Sequence, residues 1–416
     1  MAHVEVEFLD VGQGDSTLIK LPNGKMVLID CHFNGPSESV LDHVLERLPK
    51  DENCTPYLDC LVITHPHEDH IGGIGKLGQK AKIKSIWESG HRLYIPRDKQ
   101  DEYTDYYDML DLIRRIKRQG GTVKVLRANR RGFTGGLDDR VQWYCLSPSR
   151  AYAEQERPSE DQIHEQCLVL KLEFGGNSIM FTGDSSWRAW SEAIVPSYSE
   201  LIPTTFLHVS HHGSISFFAD SEDSESYIDH LRMMEPDISI VSVGLNNYGH
   251  PHAKAMELYR KWTHHYARSK GQVMRTDELG HIVTWLYEDG TYEIMPRYHM
   301  EALSGRFILA RAKVRPEPGP DADGTYRRGV DITFNLEVSR VPDFLRPLKV
   351  RWEVQNNGVG RDHRIHDWYL GKLGFDTVYQ NRTAFHGRHN LYVKVTGKNG
   401  APVAEFVHIV RVRDEG

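Results

Sequence analysis

Residues 64–70 of the chain read THPHEDH, and they directly follow the largely apolar residues 58–63. An apolar run that ends in a polar cluster is typical of a buried strand whose end opens onto a functional site. The candidate ligands in this stretch are His65, His67, Asp69 and His70. Imidazole and carboxylate groups together suit zinc, manganese or iron. An extended backbone points the first two ligands at one ion, and the following helix start brings the last two to a second. The stretch therefore predicts a metal centre, with a solvated polar loop as the alternative.

Two later strand ends add candidate ligands. Residues 181–184 read FTGD and end in Asp184, a carboxylate suited to bridging two ions, although the segment could also be an ordinary turn. Residues 209–213 read VSHHG, and we predict that His211, in preference to His212, binds metal there. The alternative for this pair is a structural role.

A fourth segment, residues 246–251, reads NNYGHP and follows another predicted strand. We predict that His250 binds substrate or protonates a leaving group, and the alternative is that it caps a turn. Further candidates for substrate binding are Asn246, Ser214 and His212.

Taken in order, these motifs resemble the metallo-β-lactamase superfamily and, more narrowly, the ComEC-type hydrolase domain of competence proteins. The resemblance covers roughly residues 3–293, and the matching pieces are residues 8–16 (FLDVGQGDS), 28–30 (LID), 64–73, 182–184, 211–214 (HHGS), 248–251 (YGHP) and 276–281. It implies an α/β fold, the αββα sandwich, with the metals at strand ends along one edge.

The resemblance also implies roles for single residues. The implied metal ligands are His65, His67, Asp69, His70, Asp184 and His211, which would hold two divalent ions, zinc or manganese. The implied catalytic groups are Asp69, His250 and Asp30, the last as a supporting carboxylate behind the ligands. Two cations about 3.5–4 Å apart can acidify a water between them, which suits phosphodiester hydrolysis.

The sequence departs from the family pattern in two places. The superfamily often supplies a further histidine between the motif at residues 64–73 and the bridging aspartate, and the nearest candidate is His91. We predict that His91 is a surface residue, which would leave the first metal under-coordinated. Competence proteins attach this domain to a membrane channel, which is not present in this sequence, so DNA uptake is not implied.

Composition predicts where the protein resides. The mean hydropathy is −0.52, 39% of residues are hydrophobic and 26% are charged, and no apolar run approaches the length of a membrane span. The first residues lack a signal-peptide pattern, and the five cysteines form no CxxC pair. We therefore predict a cytoplasmic protein without a membrane partner.

Charge is divided unevenly along the 416 residues, whose net charge is −7. Residues 306–416 contain 19 basic and 13 acidic residues, a net charge of +6, and residues 1–305 contain 32 and 45, a net charge of −13. The overall charge argues against nucleic-acid binding by the whole surface. The predicted domains are a hydrolase domain at 1–295, a linker at 296–325 and a small, mainly β domain at 326–416.

The predicted C-terminal domain contains two motif-like stretches, residues 351–358 (RWEVQNNG) and 382–389 (RTAFHGRH). They resemble the C-terminal sensor domain of adenylyl/guanylyl and SMODS-type nucleotidyltransferases of bacterial defence systems, which implies a bound nucleotide. The implied ligand-sensing residues are Trp352, Arg382, Phe385, Arg388 and His389. The alternative is that the aromatic residues belong to the core and that residues 356–358 form a turn.

Three functions compete at this point. The leading hypothesis is a metal-dependent nuclease, with DNA as the preferred substrate, gated by nucleotide sensing in anti-phage defence. The second is a phosphodiesterase for small molecules such as cyclic nucleotides or phosphorylated head groups, which the acidic segment favours. The third is a non-catalytic nucleotide-binding sensor or adaptor. Partner proteins and a homo-oligomer are left open.

Overall fold

The computed structural model describes residues 1–34, 38–154, 160–244, 246–263, 272–296, 311–321, 324–339, 349–357, 366–372, 378–383, 387–396 and 402–413. The chain divides into two compact units. One is Val4–His281, and the other joins Met1–His3 to Ile282–Gly416.

The first unit alternates strands with helices. Its strands are β1 (His3–Phe8), β2 (Thr17–Lys20), β3 (Met26–Ile29), β4 (Tyr57–Leu58), β5 (Cys60–Ile63), β6 (Lys82–Ile83), β7 (Ser85–Glu88), β8 (Thr122–Val125), β9 (Asn129–Phe133), β10 (Gln142–Ser147), β11 (Val169–Phe174), β12 (Asn177–Phe181), β13 (Phe206–His208), β14 (Ile238–Val241) and β15 (Gln272–Arg275). Its helices are α1 (Glu38–Arg47), α2 (Glu68–Ile71), α3 (Ile74–Lys80), α4 (Thr104–Arg118), α5 (Arg150–Ala153), α6 (Glu160–Glu165), α7 (Val195–Tyr198), α8 (Asp229–Met234), α9 (Ala253–Trp262) and α10 (Thr276–Leu279).

These strands form two main sheets. The order in the first is β1-β2-β3-β5-β7-β8, and the order in the second is β15-β14-β13-β12-β11-β10-β9. The inner faces meet, as shown by the rings of Phe8 and Phe181, whose centroids are 6.3 Å apart. One apolar cluster packs α1, α3 and α4 on the first sheet, and a second cluster packs α8 and α9 on the other. The predicted αββα sandwich is therefore confirmed.

The second unit is built of strands in its described residues. They are β16 (Ile282–Tyr287), β17 (Tyr292–Pro296), β18 (Arg311–Glu317), β19 (Asp331–Ser339), β20 (Lys349–Asn357), β21 (His366–Lys372), β22 (Val378–Arg382), β23 (Gly387–Thr396) and β24 (Pro402–Val412). One sheet has the order β21-β20-β23-β24-β17-β16, and β18-β19-β22 form another. Trp352 is fully buried in the apolar cluster of this unit. The prediction of a small β-rich C-terminal region is confirmed.

The boundary between the units differs from the predicted one. Strand β17 pairs with β24, with Tyr292 opposite Val407, so residues 282–296 belong to the C-terminal unit. Part of the predicted linker is also ordered, since β18 pairs with β19. Both pairings join residues far apart in sequence, which a local pattern cannot reveal.

Candidate metal centre

The candidate ligands converge at one edge of the first unit. Strands β3 and β5 run parallel and lead into Asp30 and the motif at residues 64–70. Strands β12 and β13 also run parallel, and they lead into Asp184 and the histidine pair at residues 211–212. Because the carboxyl ends of neighbouring parallel strands lie at the same edge, segments distant in sequence meet there.

One cluster, which we call group 1, consists of His65, His67, His164 and Asp184. Its potential ligand atoms all lie within 4.8 Å of one another. His65 Nε2 lies 3.0 Å from His67 Nδ1 and 3.6 Å from Asp184 Oδ2. Three imidazoles and a carboxylate oxygen at this spacing fit the tetrahedral coordination of a divalent metal.

His164 is the residue that sequence reasoning missed. It lies in the short helix α6, away from any strand end, and its ring is 5.4 Å from the His67 ring. The prediction for His91 was wrong, because that side chain is 5% exposed and its Nδ1 hydrogen-bonds Gln166 Oε1. His164 therefore occupies the place for which His91 was considered. The available signal was its position between the main block and Asp184.

The second cluster contains His70, Asp184 and His212, and Asp15 also lies within range. His70 Nε2 is 3.0 Å from Asp184 Oδ1, and His212 Nε2 is 3.1 Å from Asp69 Oδ2. Asp15 instead lies beside the opposite ring nitrogens, 3.8 Å from His70 Nδ1 and 3.9 Å from His212 Nδ1. The Nε2 atoms thus face Asp69 and Asp184, and we define group 2 as Asp69, His70, Asp184 and His212.

The Nδ1 atoms of the two group 2 imidazoles contact oxygen atoms of other residues. Asp30 Oδ2 lies 2.8 Å from His70 Nδ1 and accepts the Thr64 hydroxyl at 2.7 Å. His212 Nδ1 donates to the backbone oxygen of Ser242 over 2.9 Å. Such contacts fix the tautomer and leave Nε2 free to bind metal. Asp30 is therefore a positioning residue.

Backbone geometry at the site is specialised. Gly183 has φ +47°, and a Cβ there would come within 2.4 Å of Cys167 Sγ, so glycine is required directly before Asp184. His211 and His212 both adopt left-handed conformations, with φ of 49° and 53°. Each such residue costs about 1–3 kcal/mol, a strain that often marks a functional site.

Electrostatics prepare group 1 for a cation. Burial, reinforced by His211, lowers the pKa of His164 to about 3, and burial also lowers the pKa of His65 and His67. Neutral imidazoles are the form that binds metal.

Electrostatics act differently in group 2. Burial opposes ionisation of Asp69 and Asp184, but His70 outweighs it and holds the pKa of both carboxyls well below the ordinary value. Burial likewise opposes the charge on His212, but Asp15 and Asp69 raise its pKa to about 9. A metal ion must therefore displace a proton from this imidazole.

The donor set fits a metal pair. Both carboxylate oxygens of Asp184 are buried without a hydrogen bond among the described residues, and so is Nε2 of His70 and of His164. Buried polar atoms are normally satisfied, and these orphaned atoms point toward the two clusters. Asp184 is shared by both clusters, as a bridging carboxylate requires.

The predicted residues at the rim have different surroundings. His211 Nε2 lies 3.5 Å from Asp184 Oδ2, while its Nδ1 lies 2.9 Å from Ser216 Oγ. The sequence preferred His211 as the ligand and gave His212 to substrate, whereas the structure puts His212 in group 2. The hydroxyl of Ser214 accepts from Ser216 Oγ at 3.0 Å and so supports this turn.

Asn246 and His250 share the loop after β14. The Asn246 amide donates to the backbone oxygens of Gly244 and His250 and accepts from the backbone nitrogens of Tyr248 and His250. These bonds brace the loop, and a role of Asn246 in substrate binding stays a prediction. The His250 ring lies 5.2 Å from the His211 ring, and burial and His211 lower the pKa of His250 to about 4.

The candidate sensing residues of the C-terminal unit differ in how far they are buried. Trp352 is buried in the core, as the alternative interpretation predicted. His389 is 6% exposed. Arg382 is exposed, and its Nε donates to the backbone oxygen of Gly329 at 3.1 Å. Phe385 and the Arg388 side chain lie outside the described residues.

Comparison with known proteins agrees with this geometry. Residues 9–144 match the metallo-beta-lactamase superfamily. The chain contains a metallo-beta-lactamase superfamily domain. It is also 29% identical over 308 residues to ComE operon protein 3 of Bacillus subtilis (strain 168). That match covers 71% of this chain and 34% of the relative, so the chain spans about a third of the protein it resembles.

These findings support the ComEC-type resemblance and a metal-dependent hydrolase domain. They contradict the predicted cytoplasmic location, because the relative is of the competence type, whose domain is attached to a membrane channel. The cytoplasmic location was predicted from the composition of a chain that matches only one third of such a protein. Composition of so small a part is not a sufficient basis for predicting a location. No helix in the described part of the chain has the length and apolar character needed to cross a bilayer.

Proposed function

We propose that the metallo-beta-lactamase domain is a two-metal phosphodiester hydrolase that cleaves nucleic acid, with DNA as the preferred substrate. The observation that carries the proposal is Asp184, whose two buried oxygens lie between two histidine-rich clusters, one 3.0 Å from His70 Nε2 and the other 3.6 Å from His65 Nε2. Such an arrangement suits a pair of ions that act on the attacking and leaving oxygens of one phosphate.

The chain would hold the ions with group 1 and group 2, and the bound pair would supply an acidified water and Lewis-acid polarisation. Asp30 keeps His70 in the tautomer with Nε2 available. His250 is half-buried at the rim with its ring 5.2 Å from the His211 ring, and we assign it to substrate binding there.

The test compares the protein with His65→Ala/His67→Ala after loading with manganese or zinc. Bis(p-nitrophenyl) phosphate reports diester chemistry, and labelled linear and circular DNA and RNA report polymer cleavage. We expect both activities in the protein and neither in the variant or after chelation. His3→Ala/His43→Ala, which removes two histidines outside both groups, serves as the matched control.

Equal activity in the protein and the His65→Ala/His67→Ala variant would refute the proposal. Hydrolysis of cyclic nucleotides without polymer cleavage would favour the small-molecule phosphodiesterase, which the −13 net charge of residues 1–305 supports. Fewer than one metal ion per folded chain would favour the non-catalytic sensor or adaptor. Gating by a nucleotide and a role in anti-phage defence stay predictions, tested by adding nucleotides to the same reactions.

A further inference from the structure

One segment of the acidic first unit is strongly basic. Residues 114–137 contain eight arginine and lysine residues and no aspartate or glutamate, although residues 1–305 together have a net charge of −13. The segment includes the end of α4, strands β8 and β9, and the connection between these strands. A net negative domain therefore has one local region that is attractive to polyanions.

The fold places this segment along one side of the sandwich. Strand β8 is the last strand of the first sheet at that side, and β9 is the last strand of the second. The chain crosses between the sheets at residues 126–128. We call Lys124, Arg127, Arg130 and Arg131 the basic edge.

The connection between β8 and β9, which contains Arg127, lies at the same end of the sandwich as the metal centre. Strands β5, β7 and β8 are parallel, so the end of β8 lies on the same side as the motif after β5. Arg127 Nη1 donates to the backbone oxygen of Ser89 at 2.5 Å. Two residues further, His91 hydrogen-bonds Gln166, which is two residues from the group 1 ligand His164.

The charges of the basic edge are largely uncompensated. Lys124, Arg130 and Arg131 are exposed, and Arg130 has one acidic neighbour, Glu200, at 3.6 Å. No ion pair joins Lys124, Arg127 or Arg131 to an acidic group within the described ranges. Arg92, by contrast, lies 2.7 Å from the buried Glu88 carboxylate and is neutralised in place.

From this arrangement we infer that the basic edge binds the sugar-phosphate backbone of a nucleic acid and leads it to the metal centre. The inference rests on the proposed phosphodiester hydrolysis and adds the surface that holds the polymer. Lysine and arginine contacts to phosphates release counterions, so binding weakens with salt in proportion to the contacts made. A small diester reaches the metals without touching this surface.

The test is the triple variant Lys124→Gln/Arg130→Gln/Arg131→Gln, which leaves Arg127 in place to hold the Ser89 loop. The matched control, Lys50→Gln/Lys80→Gln/Arg260→Gln, removes three exposed positive charges elsewhere on the first unit. Binding of a fluorescent oligonucleotide is followed by anisotropy from low to high salt. Hydrolysis of bis(p-nitrophenyl) phosphate is measured in parallel.

We expect the triple variant to bind the oligonucleotide at least about 10-fold more weakly, with a salt slope reduced by about 2–3, since each phosphate contact contributes about 0.9. Its hydrolysis of the small diester should stay within about 2-fold, and the control variant should behave like the parent. Unchanged affinity and salt slope in the triple variant would overturn the inference.

Failure of the proposed function can be distinguished from failure of this inference. Absence of diester hydrolysis in the parent protein refutes the hydrolase, whereas the anisotropy comparison still decides whether the basic edge binds nucleic acid.

Charged residues on edge strands also prevent sheets from pairing with each other. Self-association of the triple variant with unchanged oligonucleotide affinity would show that role instead and overturn the inference.

Discussion

Group 1 and group 2 share Asp184 but are built differently. In group 2, His70 is backed by Asp30 and His212 by a backbone oxygen, and each member other than Asp69 is fully buried. In group 1, only His65 has such a support, through the Thr64 hydroxyl at 3.2 Å. For His67 and His164, no hydrogen bond to a carboxylate or backbone oxygen is found among the described residues.

This difference indicates that the two groups bind metal with unequal affinity. Supports behind the ligands contribute about 10–100-fold in metal affinity. Group 2 has these supports on both imidazoles, and group 1 has one partial support and two half-buried rings. We therefore expect the group 1 metal to be the more labile of the two.

The largest effect should come from the residue common to both groups. Asp184→Asn removes the charge between the clusters, so both metals should be lost. Hydrolysis of the small diester should fall by at least about 100-fold, since metals supply several kcal/mol of transition-state stabilisation. Elemental analysis and the hydrolysis rate check this together. A variant that retains two ions would show that the groups do not share this carboxylate.

His164→Ala should separate the two groups. It removes a group 1 ligand only, so we expect one ion to remain per chain and activity to return partly at high metal concentration. His91→Ala is the control, because His91 is buried nearby but lies outside both clusters. The reverse result, with one ion lost from His91→Ala and none from His164→Ala, would restore the ligand considered from the sequence.

The sequence predicted what contiguous motifs encode. His65, His67, Asp69 and His70 lie in one stretch after a strand, and Asp184 ends another, so the local pattern located most of the centre. His164 was missed because α6 has no strand-end pattern and reaches the site only through the packing of the second sheet. The preference for His211 over His212 depended on two left-handed residues, whose directions sequence spacing does not define.

The C-terminal unit illustrates the same limit. The sequence predicted a mainly β domain, but the pairing of β17 with β24 determined which unit residues 282–296 join. The sensor resemblance rested on Trp352 among others, and that tryptophan is part of the core. Local periodicity thus identified the secondary structure class, whereas long-range pairing determined the boundary.

Asp30→Asn should weaken the better supported group. The carboxylate accepts with both oxygens, Oδ2 from the Thr64 hydroxyl and His70 and Oδ1 from the Thr64 backbone nitrogen, whereas the uncharged amide has only one accepting oxygen. Metal affinity at group 2 should therefore fall by about 10–100-fold. Competition with a metal chelator measures this. Asp59→Asn is the control, because Asp59 is also buried and accepts the Met26 backbone nitrogen away from the site. If Asp30→Asn released the group 1 metal first, the assigned supports would be wrong.

The smallest effect is expected at Cys167, whose Sγ lies 3.6 Å from His65 Nδ1 and accepts the backbone nitrogen of Asp184 at 3.3 Å. A cysteine binds metal as thiolate. Burial, reinforced by Asp184, raises the pKa of the Cys167 thiol, so it stays neutral and packs behind group 1 without being a ligand.

Cys167→Ala should therefore retain both metals, with affinity changed by less than about 3-fold and stability lowered by about 1 kcal/mol. Cys145→Ala is the matched control, since Cys145 is equally buried in the neighbouring strand β10. Chelator competition and thermal unfolding measure the two quantities. Loss of one ion from Cys167→Ala alone would mean that this sulfur supplies the support that group 1 otherwise has only through Thr64. The difference in lability between the two groups would then disappear.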